Sequence, residues 1–195
     1  MQILQDRILK DGRHLGNNIL KVDSFMNHQI DPQLMKQIGE EFARVFGPAK
    51  PTRILTIESS GIAPALATGM VLNIPIVFAR KKLPITMAGE PYKETAPSHT
   101  KGGIVDVIVS SEYLGAKDRV IILDDFLSTA RTINALVKLV HSSGAALVGV
   151  GAVIEKIFEG GRNELKHVDA LVHSLAVIER FDGEKIVFVE QAALK

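Results

Sequence analysis

The stretch Arg119–Thr132, RVIILDDFLSTART, gathers the residues best suited to chemistry. Asp124 and Asp125 are adjacent carboxylates, and a carboxylate pair accepts hydrogen bonds from sugar hydroxyls. Ser128, Thr129 and Ala130 follow as small residues, then Arg131 and Thr132. Small residues leave backbone N–H groups within reach where a helix begins. A helix N-terminus, with unpaired N–H donors and a positive dipole end, suits a phosphate. Carboxylates and hydroxyls together therefore describe a grip on a phosphorylated sugar. The flanking patterns say what must hold that grip. Val120–Leu123 is a short β-branched apolar run, the mark of a strand buried on both faces of a parallel sheet. Ile133, Leu136, Val137, Leu139 and Val140 share one broad helical face. The polar cluster thus falls where a strand hands over to a helix, the edge at which open α/β sheets bind ligands.

Further polar groups recur at comparable junctions. Glu58-Ser59-Ser60-Gly61 follows the strand-like Arg53–Ile57 and opens a helical pattern. These residues read either as an ordinary cap, with Ser as the N-cap and Gly relieving the turn, or as an anion-binding loop of N–H groups and hydroxyls. Arg80-Lys81-Lys82 ends the next strand, Pro75–Ala79, as a solvated loop edge or as charge for an anion. Lys156 lies just past the strand-like Ala145–Ile154 and offers hydrogen-bond donors only. The six histidines lack metal-ligand spacing, and His28 reads as a surface residue. No GxxxxGK pattern followed by Ser or Thr occurs, which argues against a P-loop nucleoside triphosphatase.

The elements alternate. Ile3, Leu4, Ile8 and Leu9 predict a first helix closed by Gly12, and a short extended piece is expected at Ile19–Val22. Asp31-Pro32 starts a helix with an N-cap acid and a first-turn proline; Gly47-Pro48 stops it. Arg53–Ile57, Pro75–Ala79, Ile104–Ser110, Val120–Leu123, Ala145–Ile154, Leu171–Ile178 and Lys185–Val189 read as strands. Gly61–Leu72, the segment ending at Ser143, and Arg162–His167 read as helices. Residues 81–102 carry little apolar periodicity and are expected to be a long functional loop. The repeated βαβ order predicts an α/β fold with a doubly wound, mostly parallel sheet. The chain is expected to be one domain over 1–195, with a core over 51–190 and the first 50 residues as a cap, or hood, over the sheet edge.

Composition narrows the function. The 195 residues are 46% hydrophobic, enough for a sizeable core. A net charge of +1 gives no basic field for nucleic acid. The chain has no cysteine, which excludes thiol catalysis and fits a reducing cytoplasm. No apolar run reaches the roughly 20 residues needed to span a bilayer, so no membrane role is expected.

VIILDDFLSTART resembles the ribose-phosphate signature of the type I phosphoribosyltransferases. KVDSFMNHQIDP, TIESSGIAPA, PIVFARKK and VIEKIFEGGR extend the likeness over nearly the whole chain, toward the bacterial xanthine phosphoribosyltransferases within that family. The resemblance implies the following expectations. The chain transfers the 5-phosphoribosyl group of phosphoribosyl pyrophosphate (PRPP) to N9 of xanthine, with Asp124 and Asp125 holding the ribose hydroxyls as the catalytic pair. Ser128, Thr129, Ala130, Arg131 and Thr132 cradle the 5-phosphate. Ser59, Ser60, Gly61 and Lys81 receive the pyrophosphate, and the loop after Lys81 closes over the reaction. Leu20, Asn27 and Lys156 contact xanthine, although residue type alone makes Leu20 core and Asn27 a turn residue; Phe158 stacks on the base or belongs to the core. Mg²⁺ is carried mainly by PRPP and pyrophosphate rather than by dedicated protein ligands. A homodimer is implied. Many relatives place Gly where Ala130 and Arg131 stand, so the phosphate loop or its affinity is expected to differ; Arg131 meets the phosphate or points to solvent. The implied alternatives are another purine base (guanine, hypoxanthine or adenine) and a non-catalytic, PRPP-sensing purine regulator.

Overall fold

The computed structural model describes residues 1–87, 89–97 and 103–189. The N-terminal part contains α1 (Gln2–Asp11), the two-residue strands β1 (Arg13–His14) and β2 (Leu20–Lys21), a short π-helical segment Asp23–Asn27, and α2 (Pro32–Phe46). Asp31 caps α2 as its sequence predicts: its side chain accepts from the backbone N–H of Gln33 and Leu34. The turn joining β1 to β2 runs through Gly16, Asn17 and Asn18, all at positive φ, a conformation that glycine and asparagine tolerate best.

The core then reads β3 (Arg53–Ile57), α3 (Ile62–Leu72), β4 (Ile76–Ala79), β5 (Tyr92–Pro97), β6 (Ile104–Val109), β7 (Arg119–Leu127), α4 (Arg131–Ser142), β8 (Ala146–Lys156), α5 (Gly161–Glu164), β9 (Leu171–Asp182) and β10 (Lys185–Phe188). A six-stranded sheet has the order β10-β9-β8-β7-β3-β4. All neighbours are parallel except β10, which turns back antiparallel on β9. From β3 the chain moves outward to β4, then returns to β7 on the other side. The order therefore reverses between β3 and β7. Their pairing ends at Leu55–Ile122, while β7 continues alongside β8 as far as Leu127. Beyond Ile122 the β3 side of β7 has no pairing partner among the described residues, which opens the crevice that such reversals create.

Each strand face feeds its own core. Val120 and Ile122 join Leu55, Ile57, Val150 and the apolar face of α4. Ile121 and Leu123 join Ile54, Val153 and residues from α1, α2 and α3. Period-two alternation thus explains why the β7 sequence is continuously apolar.

Two expectations change. The first 50 residues do more than cover the sheet edge, because α2 forms part of a core layer. Phe42 and Phe46 press on the sheet at Gly149 and Gly151, where an added Cβ would meet their rings at 2.5–2.9 Å. Ile104–Ser110 does not enter the main sheet. Its strand, β6, pairs antiparallel with β5, and this hairpin takes up part of the loop expected over 81–102. The remainder of that loop lies partly outside the described residues.

Candidate phosphoribosyl site

Asp124 and Asp125 lie inside β7 rather than just past its end, and both are buried. The Asp125 N–H donates to Asp124 Oδ1 at 3.0 Å, and the Phe126 N–H donates to Asp125 Oδ1 at 3.0 Å. Burial, followed by the charge of Asp125 alongside, holds the Asp124 carboxyl well above the ordinary carboxylate range; Lys81 pulls the other way. Strand alternation turns Asp125 toward the side that carries the N-terminal elements, and there Asn27 Nδ2 donates to Asp125 Oδ2 at 3.1 Å. A residue singled out for the base thus touches a residue singled out for the sugar.

Ser128 and Thr129 form the turn between β7 and α4, and Ala130 is the N-cap of α4. Ala130 has φ 58° and ψ 9°, the left-handed conformation that favours glycine. A Cβ at this positive φ costs about 1 kcal/mol of strain. Arg131 is exposed in the first turn of α4, followed by Thr132. Gly161 packs against this loop from the other side. Its N–H donates to Ser128 O at 2.8 Å, and a Cβ on it would fall 2.2 Å from that oxygen and 2.9 Å from Ala130 N.

The Ser59–Gly61 turn connects β3 to α3. The plain cap reading fails, since the N-cap is Gly61 and no side chain caps the helix. The Ser59 and Ser60 hydroxyls are therefore not used to cap α3. A Cβ on Gly61 would meet Thr56 Oγ1 at 2.2 Å and Asp124 Oδ1 at 3.0 Å, so this turn abuts the acid pair directly. Lys81 is exposed, and its backbone N–H donates to Glu58 Oε1 at 2.7 Å. Arg80 pairs with the same carboxylate at 2.8 Å. Glu58 thereby ties the basic run at the end of β4 to the Ser59–Gly61 turn, leaving the Lys81 side chain near enough to act on Asp124.

On the base side, Leu20 is buried in the N-terminal core, as its residue type alone suggests. Lys156 ends β8; its ammonium donates to Asn18 O at 3.0 Å and pairs with Glu159 at 2.6 Å. Phe158 meets the Phe181 ring edge-on, and Phe181 stacks on His14. Phe158 thus touches one ring while remaining exposed, outside the core. The structure brings Asp124, Asp125, Asn27, Gly61 and Lys81 around one crevice. Sequence reasoning assigned no roles to Glu58, Glu159, Gly161 and Arg162. The last three lie within VIEKIFEGGR, and a Gly-Gly-Arg run shortly after a strand was the signal available.

Comparison with known proteins agrees with this geometry. A family model described as the phosphoribosyl transferase domain matches residues 27–193. The chain belongs to the phosphoribosyltransferase family. It is 52% identical to the xanthine phosphoribosyltransferase of Deinococcus deserti, over 97% of this chain and 98% of that one. It is 47% identical to the xanthine phosphoribosyltransferase of Moorella thermoacetica, over 97% and 96%. Among solved structures, the adenine phosphoribosyltransferase of Rhodothermus marinus superposes with a TM-score of 0.73 at 23% identity, covering 91% of this chain and 99% of that one. The Trypanosoma brucei adenine phosphoribosyltransferase, solved with AMP, pyrophosphate and ribose-5-phosphate, gives 0.73 at 20% identity, over 98% and 90%. At those identities the structural likeness supports the shared fold of this phosphoribosyltransferase. The sequence relatives carry the finer comparison.

Proposed function

We propose that this phosphoribosyltransferase transfers the 5-phosphoribosyl group of PRPP to N9 of xanthine, forming xanthosine 5′-monophosphate and pyrophosphate in purine salvage. The observation that carries this reading is the Asn27–Asp125 hydrogen bond at the β3–β7 crevice, which joins a base-side residue to the acid pair. The 52% identity to a xanthine phosphoribosyltransferase supplies the base.

In the reaction the bond from the anomeric carbon to the diphosphate oxygen breaks, and a bond from N9 forms. Positive charge develops on the ribose in between. Asp124 and Asp125 orient the ribose hydroxyls, and carboxylate charge beside the ribose stabilises that positive charge as it develops. Ser128–Thr132 anchor the 5-phosphate, fixing the sugar while its other end reacts. The Ser59–Gly61 turn and Lys81 receive the departing diphosphate. Lys156, with donors only, favours exocyclic oxygens and disfavours an amino group, hence an oxopurine over adenine.

The donor set fits a Mg²⁺ ion carried on the co-substrate, because this ion keeps water and phosphate oxygens in its shell and needs few protein ligands. Asp124 and Asp125 would hold it through the ribose oxygens; when bound, it neutralises charge on the diphosphate. We further propose a homodimer, with the exposed apolar side chains of α3, Leu66, Met70 and Val71, in its interface, and a cytoplasmic location, on the cysteine-free composition.

Incubating the protein with PRPP, Mg²⁺ and each of xanthine, guanine, hypoxanthine and adenine, with products resolved by chromatography, tests the reading. Xanthine is expected to give nucleotide and pyrophosphate in equal amounts at the highest kcat/KM. Adenine as the best substrate would overturn it.

A further inference from the structure

Lys156 has more partners than a cation facing a base needs. Its ammonium is 2.6 Å from Glu159 Oε1 and donates to Asn18 O at 3.0 Å. It also lies 5.9 Å from the centre of the Phe126 ring. The Lys156 and Glu159 side chains are only 12% and 17% exposed. An ammonium has three N–H donors. With one given to Glu159 and one to Asn18, tetrahedral geometry fixes the direction of the third.

The backbone around Glu159 is itself held in place. It closes the 3₁₀ turn Ile157–Glu159, and Gly160 follows at φ 79°. Gly161 then bonds to Ser128 O in the phosphate loop. Arg162 pairs with the fully buried Glu155 and donates to Val172 O at 2.9 Å, pinning the turn to the ends of β8 and β9. Glu159 is therefore a fixed acceptor. Asn18 O sits on a turn at the rim of the N-terminal elements, so by itself it anchors a flexible four-carbon side chain less firmly.

Resting on the oxopurine reading above, we infer that Glu159 is a positioning residue for base recognition: it holds the Lys156 ammonium so that its remaining N–H meets an exocyclic oxygen of the purine. Without that acceptor the lysine swings toward solvent, as long cationic side chains do. The loss falls on base binding rather than on PRPP, because the phosphate loop is held by the Gly161 N–H independently of the Glu159 carboxylate.

The test compares Glu159→Ala, Glu159→Gln, Lys156→Ala and the double variant Lys156→Ala/Glu159→Ala by steady-state kinetics, with thermal melting as a check on folding. Glu159→Ala is expected to raise the KM for xanthine about tenfold, with kcat and the KM for PRPP within about twofold of wild type. Glu159→Gln keeps a carbonyl acceptor and the side-chain volume, so its KM stays within about threefold. Adding Glu159→Ala to Lys156→Ala is expected to change nothing further, as for two residues acting through one contact. Additive effects, an equal rise in the KM for PRPP, or an unaltered Glu159→Ala enzyme would overturn the inference. A wild-type protein that makes no xanthosine monophosphate would defeat the proposed function and this inference with it; an active wild type with an unaltered variant defeats the inference alone.

Discussion

Asp124 is a conflict between folding and binding within one side chain. Burial and the neighbouring Asp125 raise its native proton affinity above the ordinary value of 3.8. The native state therefore binds that proton more tightly than the unfolded chain does. Its contribution to stability is complete below the ordinary value and is lost as pH rises through the raised native one. Stability of the free protein therefore falls as pH rises above the ordinary value, and Asp124→Asn is expected to melt at a higher temperature than wild type near pH 8. That advantage shrinks toward zero as the pH approaches 4, a pattern that melting curves across the range will check. The same variant loses turnover by about a hundredfold or more, the scale set by removing a charge-stabilising group from a reacting centre. Ala130 shows the limit of residue-type reasoning at this scale. Its chemistry argues against positive φ, yet it sits at φ 58° with its side chain buried in the core above α4, so the surrounding contacts decide its backbone.

Elements meet at glycines, and these contacts give sharp expectations. An alanine at Gly161 would drive its Cβ into Ser128 O, which is backbone and cannot rotate away. Gly161→Ala must therefore displace the phosphate loop. Its KM for PRPP is expected to rise about tenfold or more, with a smaller effect on xanthine, in steady-state kinetics. Gly151→Ala meets Leu123, Phe42 and Phe46 between α2 and the sheet, far from that loop. It is expected to cost about 1–3 kcal/mol in denaturant unfolding while leaving both KM values near wild type. Much of this scale was legible in the sequence. The Asp31 cap, the β3–α3–β4 unit and the β7–α4 junction follow from capping residues and apolar period, because local chemistry decides them. The departure of β6 from the main sheet was not legible. Its IVDVIV pattern marks a strand but says nothing of its partner, which is β5, a strand hidden within a polar stretch. Asp124, Asp125, Gly61 and Lys81 were legible as candidates because they fall in or just past the ends of apolar strand patterns. Glu58, Glu159 and Gly161 were missed because their roles lie in contacts to other loops, which no spacing encodes.

The whole molecule is built to bring four loops to one reversal in strand order. The turns after β3, β4, β7 and β8 all leave from the same sheet edge, and parallel strands are what make their ends coincide. The N-terminal elements belong to both halves of this design, since α2 fills a core layer while Asn27 reaches Asp125. The cover over the site is thus continuous with the core. Elsewhere the surface carries Met70, 76% exposed on α3, beside exposed Leu66 and Val71. If this face joins two copies, Met70→Glu is expected to convert a dimer to monomers by sedimentation without changing the melting of the isolated chain by more than about 0.5 kcal/mol in stability; wild type sedimenting as a monomer would remove the dimer from the account. The most direct test of the central claim is calorimetric titration of PRPP with Mg²⁺ into the folded protein and into the Asp124→Asn/Asp125→Asn variant. Saturable heat with one site per wild-type chain, lost in the variant, is expected; equal binding by both, or no heat from well-folded wild type, would rule out the acid pair as the sugar grip.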